Sequence, residues 1–414
     1  MNLEKLKDFM YFNKLTKRMV IVPWGMSFRW CNNKCEFCYL KAGWENTIRS
    51  LDFFEQVKNN IISTLPDLLL QLPQDTIIEL DYAGGEIFCL GDEYYRIYFE
   101  LLAEYHKICK EHQFNKLHIS FSTNLILNNH QIYKLIELCN KCEQLGLPFD
   151  ITTSFDLWGR FESEDVANLW WNNILILNKN IKVKPRVEMV LCKPSIDIYL
   201  KNEQTFTMDI FTKILENPDK VMFFFENYVP NSPENIKLVP SNEDKINMFK
   251  KLIDLYWGTL PMLDAYRSDY NIEITKEEDK PQYQDCSSAF YGDSPIENWM
   301  SNIEFFDNET PLYSLHNCID RALGLWPKSA QQVFKSKIDL LKPGTFLGDG
   351  YMCLNHLDKV NNFYINKFGC GNCKFKQYCY KNNLRGCYVE HNFIWSSDKC
   401  WKREVFKYAE NLHR

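Results

Sequence analysis

Met19-Val-Ile-Val22 and Cys31-Asn-Asn-Lys-Cys35-Glu-Phe-Cys38 are separated by eight residues, and the reading of this pair decides the fold. The first half is a short apolar, β-branched run, the pattern of a buried strand. The second half sets three thiols at C-x3-C-x2-C spacing in the loop that leaves that strand. Three thiolates hold three corners of a 4Fe–4S cube and leave the fourth iron open to a ligand that is not protein. A structural zinc site would want a fourth Cys or His in a second knuckle, and none follows until Cys89.

Outward from that loop the chain alternates two periods. Strand patterns fall at Met19–Val22, Thr76–Tyr82, Leu117–Ser122, Phe149–Ser154, Lys182–Val190 and Val221–Tyr228. Helical patterns lie between and after them, at Phe53–Leu70, Glu93–Glu111, Asn129–Leu145, Glu164–Leu177, Gln204–Leu215 and Asn242–Trp257. Six βα units in succession predict an α/β fold, a parallel sheet wrapped by helices into a partial (β/α)6 TIM-like barrel. Chemistry in such folds gathers where strands end and loops begin, which is where the cysteine loop sits. Residues 1–258 make up this barrel; residues 259–317 lack a clear period and read as a bridging, substrate-facing region. From 318 to 414 Cys, Gly and Asn dominate, before a short amphipathic helix near Lys402–Glu410.

Gly84-Gly85-Glu86 follows the second strand directly. Two glycines let backbone approach a ligand and a carboxylate suits an ammonium, whereas an isolated Gly-Gly-Glu is an ordinary turn. With the three-Cys motif, with Phe37 before its last Cys and with Tyr39 after it, the chain resembles the radical S-adenosylmethionine (SAM) superfamily. That resemblance implies one 4Fe–4S cluster on Cys31, Cys35 and Cys38. It also implies SAM chelated to the open iron, and its reductive cleavage to a 5′-deoxyadenosyl radical. Phe37, Tyr39, Gly84, Gly85, Glu86, Asn124, Ser154, Asp156 and Arg160 would then surround SAM, with Ser154 near its ribose and Arg160 on its carboxylate. Asn124 and Asp156 are equally at home as turn formers at strand ends.

Sixteen cysteines in a chain with no signal peptide call for a reason other than disulfides. Gly348-x4-Cys353 and Cys370-x2-Cys373-x5-Cys379, with Cys318, Cys387 and Cys400, resemble the SPASM extension of radical SAM enzymes that modify peptides. The gaps of seven and twelve residues before Cys387 and Cys400 depart from the family spacing. The resemblance implies two auxiliary 4Fe–4S clusters, one on Cys370, Cys373, Cys379 and Cys400, the other on Cys318, Cys353 and Cys387. Cys286 or substrate would complete the second, and a zinc knuckle is the rival reading. Cys139-x2-Cys142 lies on a helical pattern and reads as two structural thiols. Cys89 and Cys192, just past strand ends, are candidate hydrogen-atom donors or buried thiols; Glu188 faces the barrel lumen or a solvated edge.

Hydrophobic residues at 45% and aromatics at 15% mark a globular chain, and a net charge of −6 argues against a nucleic-acid partner. No apolar run nears the ~20 residues of a membrane span, so the expected location is cytoplasmic. The leading expectation is a maturase that abstracts hydrogen from a residue of a ribosomally made precursor peptide, installing a cross-link or other side-chain change. Flavodoxin or ferredoxin would donate the electron. Only thirty residues precede Cys31, too few for a leader-binding winged helix, so the expectation is that either a separate protein presents the peptide or the bridge and SPASM surface grip it. Sulfatase maturation to formylglycine ranks behind, because Leu354 stands where those enzymes carry an Asp. A non-catalytic iron–sulfur carrier or scaffold is the reading from another class.

Overall fold

The computed structural model describes residues 10–13, 18–24, 28–38, 45–70, 72–217, 219–227, 237–256 and 401–412. These residues divide into two compact units. The first comprises the described residues through Thr153 together with Asn168–Pro185; the second comprises Ser154–Ala167, the described residues from Arg186 to 256, and the C-terminal helix.

In the first unit β1 (Met10–Asn13) pairs antiparallel with β2 (Arg18–Ile21). From β2 onward the pairing is parallel, to β3 (Ile77–Tyr82), β4 (Leu117–Ser122) and β5 (Phe149–Ser154) in turn. Helices α1 (Leu51–Leu69), α2 (Asp92–Glu111) and α3 (Asn129–Leu145) connect them. Ser50 caps α1 by accepting from Phe53 N, and Asn128 with Gln131 forms a full capping box on α3. Gly146 ends α3 at φ 66°, a left-handed turn that suits glycine. Along β4 and β5 every second residue is buried, as expected for strands with one face on the core.

The core beside the cysteine loop is aromatic. Trp24, Phe54, Tyr82 and Tyr98 pack ring on ring, with Trp24 4.9 Å from Tyr98 and 5.2 Å from Phe54. Buried tyrosines of α2 also aim their hydroxyls at the loop after β3: Tyr98 donates to Ile87 O at 2.9 Å and Tyr95 to Phe88 O at 2.7 Å. Helix α2 thus pins the segment that follows Gly-Gly-Glu.

Helix α4 (Glu164–Asn180) runs from the second unit into the first. The second unit holds the parallel pair β6 (Arg186–Leu191) and β7 (Met222–Asn227), with α5 (Lys193–Lys201), α6 (Phe206–Glu216) and α7 (Asn242–Tyr256). Its core is a run of rings from Phe211 through Phe223, Phe225 and Phe249. The C-terminal helix α8 (Trp401–Leu412) packs on α7, stacking Trp401 on Phe249 at 5.2 Å.

The chain is therefore α/β, with six strands of parallel pairing alternating with helices along the sequence, compatible with a partial TIM-like barrel. Three details differ from the sequence expectation. A strand, β1, precedes the run read as first. The strand expected from Lys182 starts at Arg186, because Pro185 has no amide hydrogen to give a ladder. An additional helix, α5, follows β6, started by Pro194 in its first turn. Among the described residues no helix is long and apolar enough to cross a membrane.

Candidate functional site

Backbone hydrogen bonds dock the cysteine loop on the loop after β3. Gly85 N donates to Phe28 O at 2.9 Å and Glu86 N donates to Trp30 O at 3.0 Å. A Cβ added to Gly85 would lie 2.0 Å from Trp30 O, so only glycine admits the chain that leads into Cys31. Here the second glycine serves the approach of protein backbone to protein backbone. At Gly84 the added Cβ would meet the Ile87 side chain at 3.1 Å, a milder constraint.

Glu86 is 1% exposed and its carboxylate is held from within the protein. Phe88 N donates to Oε1 at 3.1 Å, while Thr123 Oγ1 at 3.0 Å and the amide of Asn124 both donate to Oε2. Burial pushes its carboxyl up to about 7, against the downward pull of those three donors. Asn124 continues the chain of contacts. Its Nδ2 lies 2.7 Å from Asn32 Oδ1 and 3.5 Å from Cys31 Sγ, and its Oδ1 accepts from Ile126 N at 2.8 Å. Asn124 is thus both the turn former the sequence suggested and a bridge from the end of β4 to the first cysteine.

Within the loop, Asn33 N donates to Cys31 Sγ at 3.3 Å and Asn33 Nδ2 to Cys35 Sγ at 3.5 Å. Cys38 N donates to Cys35 O at 3.2 Å, so the last two cysteines share one turn. Burial, then the nearby Glu86 charge, pushes the Cys31 thiol up to about 12; Asn33 opposes this, and Cys35 and Cys38 add to it. Metal binding here would release protons from the thiols at neutral pH. Phe37 is buried, and Tyr39 lies outside the described residues.

Cys89 joins this neighbourhood. Its Sγ donates to Glu86 O at 3.1 Å, the Asn32 amide bonds to it, and burial raises its thiol. Sequence spacing placed Cys89 past a strand end but gave no sign that it meets the three-Cys loop. Asn32, Asn33 and Thr123 were likewise not singled out; the polar pair inside C-x3-C was the available signal for the first two.

In the second unit, Asp156 is fully buried, accepting from Val190 N at 2.9 Å and from Arg160 Nε at 2.6 Å. Burial raises its carboxyl to about 6 while Arg160 pulls it down. The guanidinium expected on a ligand carboxylate is thus held by Asp156. Ser154, at the end of β5, is half-buried. Cys192 precedes α5, buried, with its Sγ 3.2 Å from Ser195 Oγ and its thiol raised to about 11. Glu188 Oε1 lies 3.7 Å from Arg186 Nη2. Cys139 and Cys142 are buried on α3, as structural thiols should be. Cys286, Cys318, Cys353, Cys370, Cys373, Cys379, Cys387 and Cys400 lie outside the described residues.

Among the described residues no three Cys, His, Asp or Glu side chains converge on a point that would hold one metal ion. A single zinc needs its sulfurs at about 2.3 Å from one centre. A cubane takes its thiolates on separate irons, so Cys31, Cys35 and Cys38 fit it by donor type, and N–H groups face the sulfurs of Cys31 and Cys35. No protein-family model matches the chain, and no curated protein does. Among solved structures, a mutant of the Thermobaculum terrenum O-GlcNAc hydrolase aligns with 95% of this chain and 94% of its own, at 12% identity and a TM-score of 0.21. A likeness at that level carries no argument about fold or activity.

Proposed function

We propose that this chain is a radical SAM enzyme with a C-terminal SPASM domain, which modifies a residue of a ribosomally made peptide. The observation that carries the reading is the joining of Cys31, Glu86 and Asn124, from the loops after β2, β3 and β4, by way of Asn124. Parallel strands deliver their chemistry at that end. When bound to Cys31, Cys35 and Cys38, a 4Fe–4S cluster supplies the one electron that cleaves the SAM sulfonium. The chain's own part is to hold the thiols and shut out water. Glu86 braces the strand ends, and Phe28 and Phe37 are buried apolar bulk within the cysteine loop. The late cysteines would carry two auxiliary clusters, and a flavodoxin or ferredoxin would supply the electron.

The test is anaerobic reconstitution with iron and sulfide, then SAM and a reductant, with 5′-deoxyadenosine measured. Production that is lost in Cys31→Ala, Cys35→Ala and Cys38→Ala supports the reading; an iron-free or zinc-loaded wild type refutes it. Formylglycine formation on a Ser or Cys peptide is the alternative product to assay. Cys89 favours a second reading, a closed four-thiol site in a non-catalytic carrier or scaffold. That reading expects iron or zinc to be lost in Cys89→Ala and no 5′-deoxyadenosine from the wild type.

A further inference from the structure

Resting on that reading of the three thiols, we propose that Asn33 and Asn124 set the reduction potential of their cluster through N–H···S hydrogen bonds. Cys31 Sγ faces Asn33 N at 3.3 Å and Asn124 Nδ2 at 3.5 Å, and Cys35 Sγ faces Asn33 Nδ2 at 3.5 Å. These are ordinary lengths for an acceptor as large as sulfur.

A full hydrogen-bond count leaves both side chains little choice. Asn124 Oδ1 accepts from Ile126 N, its backbone N–H goes to Glu86, and one Nδ2 hydrogen goes to Asn32 Oδ1. The remaining Nδ2 hydrogen has Cys31 Sγ as its acceptor. Asn32 is held in turn, its Nδ2 donating to Ile126 O at 2.8 Å. Asn33 is 9% exposed; its Oδ1 accepts from Lys34 N at 3.0 Å and its Nδ2 donates to Cys35 Sγ from a site nearly closed to water. A buried donor keeps its acceptor because leaving it unpaired is costly.

Ligand sulfurs gain negative charge when a cluster is reduced, so donors aimed at them favour the reduced state and raise the potential. Asn33 and Asn124 are positioning residues that act through Cys31 and Cys35.

The test is redox titration of the anaerobically reconstituted full chain, followed by electron paramagnetic resonance, for wild type, Asn33→Leu, Asn124→Leu and the double variant. Each single change should lower the reduced-to-oxidised ratio at fixed potential about tenfold, a midpoint about 59 mV more negative for a one-electron couple. The double variant should shift further. Iron and sulfide are counted in the same samples. A wild type without a cluster overturns the underlying reading and this inference with it. Variants with full iron and an unmoved midpoint overturn this inference alone. A second measurement needs no substitution: with 15N in asparagine side chains, pulsed resonance of the reduced wild-type cluster should show nitrogen coupling, and its absence would overturn the proposal.

Discussion

Replacing Gly85 by alanine tests how the cysteine loop is held. The new Cβ would stand 2.0 Å from Trp30 O, 2.6 Å from Trp30 C and 3.0 Å from Arg29 C, all backbone atoms that no side-chain rotation can move away. The two chains must part, which stretches the bonds from Gly85 N to Phe28 O and from Glu86 N to Trp30 O. Overpacking costs about 1–3 kcal/mol, and each weakened hydrogen bond about 0.5–1.5 kcal/mol, so a loss of about 2–6 kcal/mol is expected. Two sister substitutions calibrate it. Gly84→Ala meets the movable Ile87 side chain at 3.1 Å and should cost about 1 kcal/mol. Gly146→Ala meets nothing within 4 Å but sits at φ 66°, and should cost about 1–2 kcal/mol. Urea unfolding of the metal-free chain reads all three, and iron uptake should fall most in Gly85→Ala, since Cys31 follows Trp30. The reasoning fails if Gly85→Ala unfolds at the wild-type midpoint, or if Gly84→Ala proves the more damaging.

Thr123→Val removes a donor to Glu86 Oε2 and the acceptor of Leu125 N, and should cost about 1–3 kcal/mol in the same urea experiment. Asp156, with its folded carboxyl raised from 3.8 to about 6 chiefly by burial, contributes stability that is complete below pH 3.8 and lost as pH rises through about 6. Unfolding of wild type and Asp156→Asn across that window should therefore differ by a pH-dependent amount; parallel curves would count against a raised carboxyl. Cys139→Ala and Cys142→Ala should each cost about 1 kcal/mol and leave iron content per chain unchanged, whereas Cys31→Ala should lower it. Trp401→Ala, which empties the stack on Phe249, should cost about 3–5 kcal/mol as read by thermal or urea unfolding.

Most elements were legible because their signals are local. The helix Asn129–Leu145 matched its sequence pattern at both ends, since Asn128 with Gln131 and Gly146 are punctuation written beside it. Strands Leu117–Ser122 and Phe149–Ser154 matched too, through strict alternation of buried and half-buried positions. Arg186–Leu191 was misjudged at its start because apolar alternation outweighed Pro185, and α5 was missed because nine residues hold too few turns to show a period. The role of Gly85 was half visible: a close approach was expected, but the approaching partner is the Trp30 backbone.

From residues alone came the kinds of chemistry available: three thiols at a spacing, a Gly-Gly-Glu after a strand, alternating βα periods. Such patterns repeat over a few residues, so they survive without knowledge of the fold. Tertiary structure decided which groups meet. Glu86 and Asn124 are 38 residues apart, and Asn124 and Cys31 are 93 apart, yet hydrogen bonds join them. Parallel strands bring their ends together through long crossovers, and no local period carries that distance.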